Sequence, residues 1–268
     1  MLSVVRQPPW VPPGHYYSPS TNQADIDRAL IWNSEAAGVD LRESEQVRLL
    51  GQLEPYLRDF RTDRYRTQGN NQYGRFDAAV LQGMLRHFRP KRVVEVGSGY
   101  STTVLLDTAD IELPDLEITC VEPYPDRLFG LLSPADLSRL NLLRQQVQTA
   151  PLEPFLRLEE GDILFLDSTH VAKPGSDVLW EVLHLLPKLA PGVLVHVHDI
   201  HWPFEYPESW LRERRDWNET YFWHAFLAFN ASWQVRLMTS WAAEKRPESL
   251  PRELRHVPNG SLWVQRVS

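Results

Sequence analysis

Residues 93–101 have the composition of a ligand-binding turn. They read Val-Val-Glu-Val-Gly-Ser-Gly-Tyr-Ser, an apolar stretch with one acidic residue, followed by two glycines. Gly97 and Gly99 permit a tight turn and let the backbone approach a ligand that a Cβ atom would obstruct. The hydroxyl residues that follow are typical of a helix start, where the first N–H groups have no partner within the helix. The segment therefore predicts a strand, a turn and a helix that hold a ligand. The alternative is a corner of the same shape that binds nothing.

A second acidic residue, Glu122, follows the next apolar segment, 23 residues after Gly99. An acid about 20 residues beyond a glycine turn is placed to bind the ribose hydroxyls of an adenosine-containing ligand, and a carboxylate can accept both hydroxyl hydrogens. The dinucleotide pattern needs a third glycine where this chain has Thr102. An NAD(P)-dependent oxidoreductase is therefore a disfavoured alternative, and the chain also lacks a Tyr-x-x-x-Lys motif.

These residues stand at the ends of short apolar segments that alternate with helix-length segments. Strands are predicted over residues 92–96, 117–121, 142–147, 162–166, 193–197, 233–238 and 262–267. Helices are predicted over residues 24–33, 42–60, 76–88, 101–109, 176–189 and 208–229. This alternation predicts an α/β fold built from βαβ units around a parallel sheet.

Ligands of an open parallel sheet sit beyond the carboxyl ends of its strands. The residues expected at that rim are Gly97–Gly99, Glu122, Val147, Gln148, Asp167–His170 and His198–His201. Among them His170 is the candidate proton acceptor, because an imidazole titrates near neutral pH. The alternative role of His170 is to position the loop after the fourth strand, and Lys173 and His201 are the reserve candidates.

This segment resembles the first motif of class I S-adenosylmethionine-dependent methyltransferases, in which two apolar residues precede an acid, a further apolar residue and Gly-x-Gly. Here the acid is Glu95, the apolar residue is Val96 and the glycines are Gly97 and Gly99. Residues 161–170 and 191–199 are similar to the small-molecule O-methyltransferase branch that includes macrocin and catechol O-methyltransferases. The resemblance covers residues 75–267. It implies a Rossmann-like, seven-stranded, mostly parallel sheet with helices on both faces and an antiparallel last strand. Residues 1–74 are predicted to form a Pro-rich N-terminal arm and a helical cap, and residues 75–268 the methyltransferase domain.

The resemblance implies methyl transfer from S-adenosylmethionine to a hydroxyl oxygen of a small molecule. The alternative within the same fold is a non-catalytic module that only binds the cofactor. The cofactor-binding residues implied are Glu95, Gly97, Ser98, Gly99, Tyr100, Ser101, Glu122, Val147, Gln148 and Asp167, with Val147 and Gln148 near the adenine.

The same resemblance leaves open whether the site binds a divalent metal ion. Metal-dependent relatives carry one ligand after the fourth strand and two after the fifth, which here are Asp167, His198 and Asp199. His198 departs from the usual carboxylate or amide, and hard cations prefer oxygen ligands whereas imidazole suits later transition metals. In the competing hypothesis Asp167 orients the cofactor amine, and His170 or His198 acts as a metal-free base. The catalytic candidates are thus His170, Asp167 and His198.

The segment His196-Val-His198-Asp199-Ile-His201 also resembles the H-x-H-x-D-H motif of metallohydrolases, but its aspartate comes one residue early. A hydrolase is therefore disfavoured. His196 is expected inside the sheet layer as a hydrogen-bonded structural residue.

Twelve of the 29 aromatic residues fall between Trp202 and Trp241. Trp202, Phe204 and Tyr206 follow the fifth strand and, with His201, are predicted to line the acceptor site as an aromatic wall. Phe222, Phe226 and Phe229 have helical spacing and are predicted to pack in the core. The Pro-rich arm is expected either to close over the same opening or to dock on a second subunit.

Composition sets the remaining expectations. The chain has 268 residues, 43% of them hydrophobic, and a formal net charge of −7. These values are typical of a globular protein, and the acidic balance disfavours nucleic acid as a partner. The single cysteine excludes an internal disulfide. No apolar run approaches the roughly 18 residues of a membrane span, and no signal peptide is apparent. We therefore expect a cytoplasmic protein with a small-molecule partner and no membrane association, and the sequence leaves a homodimer open.

Overall fold

A seven-stranded sheet lies at the centre of the chain, for which a computed structural model describes residues 8–32, 35–66, 69–70 and 72–268. The strands β1–β7 are Arg92–Val96, Glu117–Val121, Leu140–Leu143, Ile163–Leu166, Leu194–Val197, Trp233–Met238 and Leu262–Arg266. The helices α1–α11 are Gln23–Ile31, Glu43–Arg58, Arg75–Phe88, Tyr100–Ile111, Asp126–Leu131, Pro134–Leu137, Glu153–Leu156, Asp177–Trp180, Glu208–Arg212, Glu219–Leu227 and Thr239–Lys245. After α8 the chain stays helical, as a π turn and then a 3-10 turn, through Lys188.

The strand order is β3-β2-β1-β4-β5-β7-β6, which confirms the predicted fold class. Strands β1–β5 pair in parallel, whereas β7 runs antiparallel to both of its neighbours. The order reverses between β1 and β4. Right-handed crossovers then place the connecting helices on opposite faces of the sheet, and a crevice opens beyond the carboxyl ends of these two strands. Val96 and Leu166 are paired there, directly before Gly97 and Asp167.

The central strands are buried on both faces, which explains why their sequences are continuous apolar runs. Glu95 in β1 and His196 in β5 are buried polar exceptions, and the prediction that His196 is hydrogen-bonded is wrong. Its ring stacks on Phe165 at 4.1 Å between centroids and meets the edge of Trp263 at 4.7 Å. Among the residues that the structure describes, neither ring nitrogen has a hydrogen-bond partner. Burial lowers the pKa of His196 well below its ordinary value, so this ring is a neutral aromatic core residue.

The predicted aromatic helix over residues 208–229 is also wrong, because a turn separates α9 from α10. Arg214 and Asp216 adopt left-handed φ angles of 53° and 54° in that turn. The reversal brings Trp217 edge-on to Trp210 at 5.3 Å, and the Arg215 guanidinium lies 4.2 Å over the Trp210 ring. This packing outweighs the helical periodicity of the segment.

Breaking that helix changes the surroundings of the three phenylalanines predicted for the core. Phe222 and Phe229 are exposed and Phe226 is half-buried. The prediction that all three pack in the core is therefore wrong for two of them.

The third strand ends at Leu143, four residues earlier than predicted. Val147 and Gln148 consequently belong to a 3-10 turn beyond the strand rather than to the strand end. They still lie on the rim, because the turn follows β3 at the carboxyl side of the sheet.

The helices before β1 pack on the sheet layer. Leu50 and Leu53 of α2 are fully buried in the same apolar cluster as the strands. Gln46 accepts the Met238 N–H, and Arg64 forms ion pairs with Asp107 and Asp136 at 2.9 and 2.8 Å. Of the predicted N-terminal arm, residues 1–7 lie outside the described residues. Across the described ranges, no helix is both long and apolar enough to cross a membrane.

Candidate active site

The glycine turn is locked against the end of β4. Gly97 has a φ of +78°, and a Cβ atom there would lie 2.0 Å from the carbonyl oxygen of Asp167. The N–H groups of Gly97 and Asp167 donate to Val121 and Val96 at 3.1 and 3.0 Å, so the ends of three strands are tied together. Only glycine satisfies both the backbone angle and the close approach. Gly99 has a φ of 169°, outside the left-handed region, and its Cβ would meet the flexible Arg127 side chain at 3.2 Å.

Two adjoining cavities open beyond this turn. They share the lining residues Gly97, Glu122, Asp167, Ser168 and Thr169. The Gln148 cavity has a volume of about 410 Å³ and extends along Tyr124, Gln148 and Lys173. The His170 cavity has a volume of about 240 Å³ and extends along Ser98, Arg127, His170, Asp199 and Trp217. One elongated ligand can therefore span both cavities across the ends of β1 and β4.

Glu122 stands where the two cavities meet. Its carboxylate accepts the Ser98 N–H at 3.2 Å and the Tyr124 N–H at 2.8 Å. These backbone donors fix the carboxylate in the cleft, while each oxygen retains a lone pair for a ligand. The arrangement suits a vicinal diol.

His170 is the centre of a hydrogen-bonded cluster in the second cavity. Its Nδ1 lies 2.9 Å from Glu219 Oε2, and Glu219 Oε1 accepts the Trp223 indole N–H at 3.1 Å. Its Nε2 lies 3.4 Å from Asp167 Oδ1 and 3.6 Å from Asp199 Oδ2. Burial alone would lower the pKa of His170, but the hydrogen bonds to Asp167 and Glu219 outweigh it and raise this pKa well above its ordinary value.

The backbone also holds His170 in place. Its φ is +60°, and its carbonyl oxygen accepts the N–H groups of Asn218 and Glu219 at 3.0 and 3.2 Å. A left-handed angle at a non-glycine residue persists only where its surroundings enforce it, and such angles are concentrated at functional sites. Asp199 shares this feature, with a φ of +58°.

Comparison with known proteins agrees with this geometry. A family model for a methyltransferase domain matches residues 94–200, a span that includes the glycine turn, Glu122 and the β4 and β5 ends. An uncharacterised protein from Archaeoglobus fulgidus is 31% identical over 169 residues, which are 57% of this chain and 75% of that protein. The chain belongs to the S-adenosylmethionine-dependent methyltransferases.

One solved structure with little sequence identity shares the fold of this methyltransferase, and a second is similar to part of it. A putative caffeoyl-CoA O-methyltransferase from Staphylococcus aureus is 13% identical with a TM-score of 0.50, over 85% of this chain and 100% of that chain. A Podospora anserina methyltransferase bound to S-adenosylhomocysteine is 14% identical with a TM-score of 0.48, over 92% and 97% of the two chains.

Among the predicted cofactor residues, Glu95 stabilises the glycine turn from inside the protein core. Glu95 is fully buried, and it accepts a 2.5 Å hydrogen bond from Thr102 Oγ1 and a weaker one from the Cys120 thiol. Burial raises the pKa of Glu95 to about 7. With no exposed surface in this structure it braces β1 against α4, and its direct contact with the cofactor stays a prediction. Tyr100 and Ser101 line neither cavity, and their cofactor contacts stay predictions.

Asp167, His198 and Asp199, the predicted metal ligands, do not fit a divalent ion. Within the described ranges, no three His, Cys, Asp or Glu side chains are arranged to hold a metal. Both aspartates face the His170 imidazole, whose Nε2 lies 3.4 Å from Asp167 Oδ1 and 3.6 Å from Asp199 Oδ2. His198 is buried, with Nε2 3.5 Å from Asp199 Oδ1 and its ring against Tyr73. Its Nδ1 has no hydrogen-bond partner in the described part of the chain. These contacts leave His198 a supporting role under the site.

The aromatic wall predicted after β5 differs from the observed arrangement. Phe204 is 2% exposed and stacks on His224, so its ring is not available to an acceptor. His201 packs edge-on to Trp210, and burial lowers its pKa to about 4, which keeps it neutral. Trp202 is half-buried beside Ser240. Tyr206 lines a cavity, but together with Trp210 and Trp217 rather than with its sequence neighbours.

Two functional candidates carried no signal in the sequence. Glu219 lies on α10 among aromatic residues, 49 positions from His170. Asp77 lies on α3, is buried, and accepts hydrogen bonds from Ser261 Oγ at 2.5 Å and from the Gly260 N–H at 3.2 Å. Its charge acts on His198. Both reach the site only through the tertiary fold.

The Glu122 carboxylate gives a first prediction. Glu122→Ala should weaken S-adenosylhomocysteine binding about ten- to hundredfold, because charge-assisted hydrogen bonds of about 1.5–3 kcal/mol are lost. Titration calorimetry measures this change. Glu117→Ala, at the opposite end of β2 and exposed, is the matched control and should bind normally. Equal affinity in both variants would show that Glu122 is an ordinary solvated carboxylate.

Proposed function

We propose that this methyltransferase methylates a hydroxyl oxygen of a small molecule, with His170 as the proton acceptor. The observation that carries the proposal is the geometry of the His170 ring. One nitrogen is fixed by Glu219, and the other faces the cavity between Asp167 and Asp199. A base oriented through its second nitrogen can take a proton from a hydroxyl held in that cavity.

S-adenosylmethionine, when bound, supplies an electrophilic methyl group on a sulfonium. Glu122 would hold its ribose hydroxyls, and Val147 and Gln148 would line the adenine side. Asp167 would pair with its ammonium group. This placement directs the methionine end toward the His170 cavity, since Gly97 and Asp167 line both cavities.

In the reaction, an acceptor oxygen forms a bond to the methyl carbon while the carbon–sulfur bond breaks. The products are a methyl ether and S-adenosylhomocysteine, and the hydroxyl proton goes to His170 Nε2. The enzyme contributes alignment of the two reactants and proton removal. Because Asp167 and Glu219 raise the pKa of His170 above its ordinary value, its neutral form is a stronger base than an unperturbed imidazole. A phenolic hydroxyl, with a pKa of about 10, is easier for such a base to deprotonate than an alcohol.

Isotope-labelled S-adenosylmethionine and a panel of phenols, alcohols and amines would test the proposal. We expect label in methyl ethers of phenols, detected by mass spectrometry. Label on amine nitrogen only would contradict it. Tight cofactor binding without turnover on any hydroxyl acceptor would favour the non-catalytic alternative.

Chelation gives a second prediction in the same assay. Because the acidic residues at the β4 and β5 ends face an imidazole rather than a metal site, turnover should survive exhaustive EDTA treatment within about twofold. Adding Mg²⁺, Mn²⁺ or Zn²⁺ should not raise it. Loss of turnover on chelation with recovery by one of these ions would restore Asp167, His198 and Asp199 as metal ligands.

A further inference from the structure

The amide side chain of Asn218 is bonded to the loop that carries His170 rather than to its own helix. Asn218 directly precedes α10, at the position where an asparagine usually caps a helix by accepting an N–H from the first turn. Within the described residues its side chain makes no such capping bond. Its Oδ1 instead accepts the Ala172 N–H at 2.6 Å, and its Nδ2 donates to the Ala172 carbonyl oxygen at 3.2 Å. The amide therefore binds the loop and does not cap the helix.

The carbonyl oxygen of His170 takes the place of that cap. It accepts the N–H groups of Asn218 and Glu219 at the start of α10, at 3.0 and 3.2 Å. The first N–H groups of a helix have no partner within the helix, so the loop and the helix end complete each other. His170 has a φ of +60°, an angle that persists only where the surroundings enforce it. The bonds from Asn218 to residues 170 and 172 supply that constraint.

The loop is also held on the side that precedes His170. Asp177, the first residue of α8, accepts the Thr169 N–H at 3.0 Å and the Thr169 hydroxyl at 2.6 Å. Asp177 lines the Gln148 cavity, whereas Asn218 is not part of the described lining of either cofactor cavity. A substitution of Asn218 therefore loosens the loop without removing a surface of the cleft.

The pairing with Ala172 requires both halves of an amide. An asparagine side chain presents a donor and an acceptor on separate atoms, whereas a serine presents a single hydroxyl oxygen. Serine is as good a helix cap as asparagine, but one oxygen cannot occupy both amide positions. Serine at position 218 thus separates a capping role from a role in the loop.

We infer that Asn218 is a positioning residue for methyl transfer, which fixes the backbone of residues 170–172 so that the His170 imidazole is held in its cavity. The inference rests on the proposed function of His170 as proton acceptor. It extends that function to a residue that acts only through His170.

Turnover of a hydroxyl acceptor is the first test. Asn218→Ala should lower kcat about ten- to hundredfold, because a shift of about 1 Å in a catalytic group has an effect of this size. The KM for the acceptor and the affinity for S-adenosylhomocysteine should stay within about threefold. Asn218→Ser should be as slow as Asn218→Ala. Near-normal turnover in the serine variant would overturn the inference, because helix capping would then be sufficient.

Asn230, beyond the other end of α10, provides the matched control. Its Nδ2 donates to the Phe226 carbonyl oxygen at 2.9 Å, and its Oδ1 accepts the Ser232 N–H at 3.1 Å. Asn230→Ala therefore also removes two hydrogen bonds, and it should lower the thermal midpoint while leaving kcat unchanged. An equal loss of kcat in Asn230→Ala and Asn218→Ala would overturn the inference, since destabilisation of α10 would explain both.

A double-mutant cycle tests whether Asn218 acts through His170. In the His170→Ala background, Asn218→Ala should change the residual kcat by less than about twofold, because the side chain that it positions is absent. A further loss as large as that in the wild-type background would assign Asn218 to another part of the enzyme.

Hydrogen exchange at the Ala172 amide, measured by NMR without turnover, distinguishes this inference from the proposed function. Asn218→Ala should accelerate that exchange at least about tenfold, and Asn230→Ala should leave it unchanged. Unchanged exchange at Ala172 in Asn218→Ala overturns the inference whatever the kinetics. Full turnover in His170→Ala overturns the proposed function. Normal kcat in Asn218→Ala alongside a slow His170→Ala variant overturns the inference alone.

Discussion

Gly97→Ala is expected to remove measurable S-adenosylhomocysteine binding, a loss of about a hundredfold or more. The added methyl would lie 2.0 Å from the Asp167 carbonyl oxygen, at a φ of +78° that L side chains rarely adopt. The nearest atom is backbone, so the ends of β1 and β4 must separate. Gly97, Glu122 and Asp167 line both cavities, and the whole cleft would lose its shape.

Calorimetry measures the loss of S-adenosylhomocysteine binding, and the thermal midpoint of the same sample measures the loss of stability. Gly99→Ala is the control, because its methyl would meet the Cδ and Cγ of Arg127, at 3.2 and 4.0 Å, and that side chain can move. We expect its affinity to stay within about threefold. Normal binding by a folded Gly97→Ala variant, or an equal loss in both variants, would refute the assignment of this turn as the cofactor cradle.

The contrast between the two glycines illustrates what the sequence can predict. Both glycines fit the pattern of a tight turn with a close backbone approach, and the pattern does not predict which of the two tolerates substitution less. The ranking depends on Asp167, 70 positions away, whose carbonyl oxygen approaches only after β1 and β4 pair. The alternation of strands and helices, by contrast, follows from local periodicity, and it predicted the seven-stranded sheet correctly.

The errors came from interactions that local patterns do not contain. Residues 208–229 have helical spacing, but the stacking of Arg215 on Trp210 and the left-handed Arg214 and Asp216 break the helix into two. Glu219 has no motif of its own, and its role follows from the return of α10 to the β4 end, where its N–H donates to the His170 carbonyl. A polar residue that acts across the fold is invisible to spacing alone.

His170→Ala is expected to lower kcat about a hundred- to ten-thousandfold, the usual contribution of a positioned general base. Binding of S-adenosylhomocysteine should change by no more than a few fold, since Glu122 and the glycine turn are untouched. Turnover with a phenolic acceptor and calorimetry on the same preparation check both parts. Full turnover in the alanine variant would move proton removal to another group.

The pH profile distinguishes a base from a residue that only supports the loop. Because Asp167 and Glu219 raise the pKa of His170, kcat should increase with pH and reach half of its maximum above the ordinary histidine value of about 6.5. Glu219→Gln removes one of these charges, so the half-maximum should shift to lower pH. Glu208 on α9 is exposed and forms an ion pair with Arg212, so the control variant Glu208→Gln should leave the pH of the half-maximum unchanged. A lower kcat at an unshifted midpoint in Glu219→Gln would assign Glu219 a purely structural role.

Stability gives an independent measurement of the same group. The folded-state pKa of His170 lies above its unfolded value, so protonation favours the folded state. Its contribution is complete below about pH 6.5 and is lost as the pH rises through the folded-state pKa. The unfolding free energy of His170→Ala should therefore fall furthest below wild type in mildly acid solution, and the gap should narrow at alkaline pH. A gap that is constant across this range would mean that the imidazole is neutral in the folded protein. The carboxylates of Asp167, Asp199 and Glu219 would then face each other without a cation between them, an arrangement that their separations from the His170 ring make unfavourable.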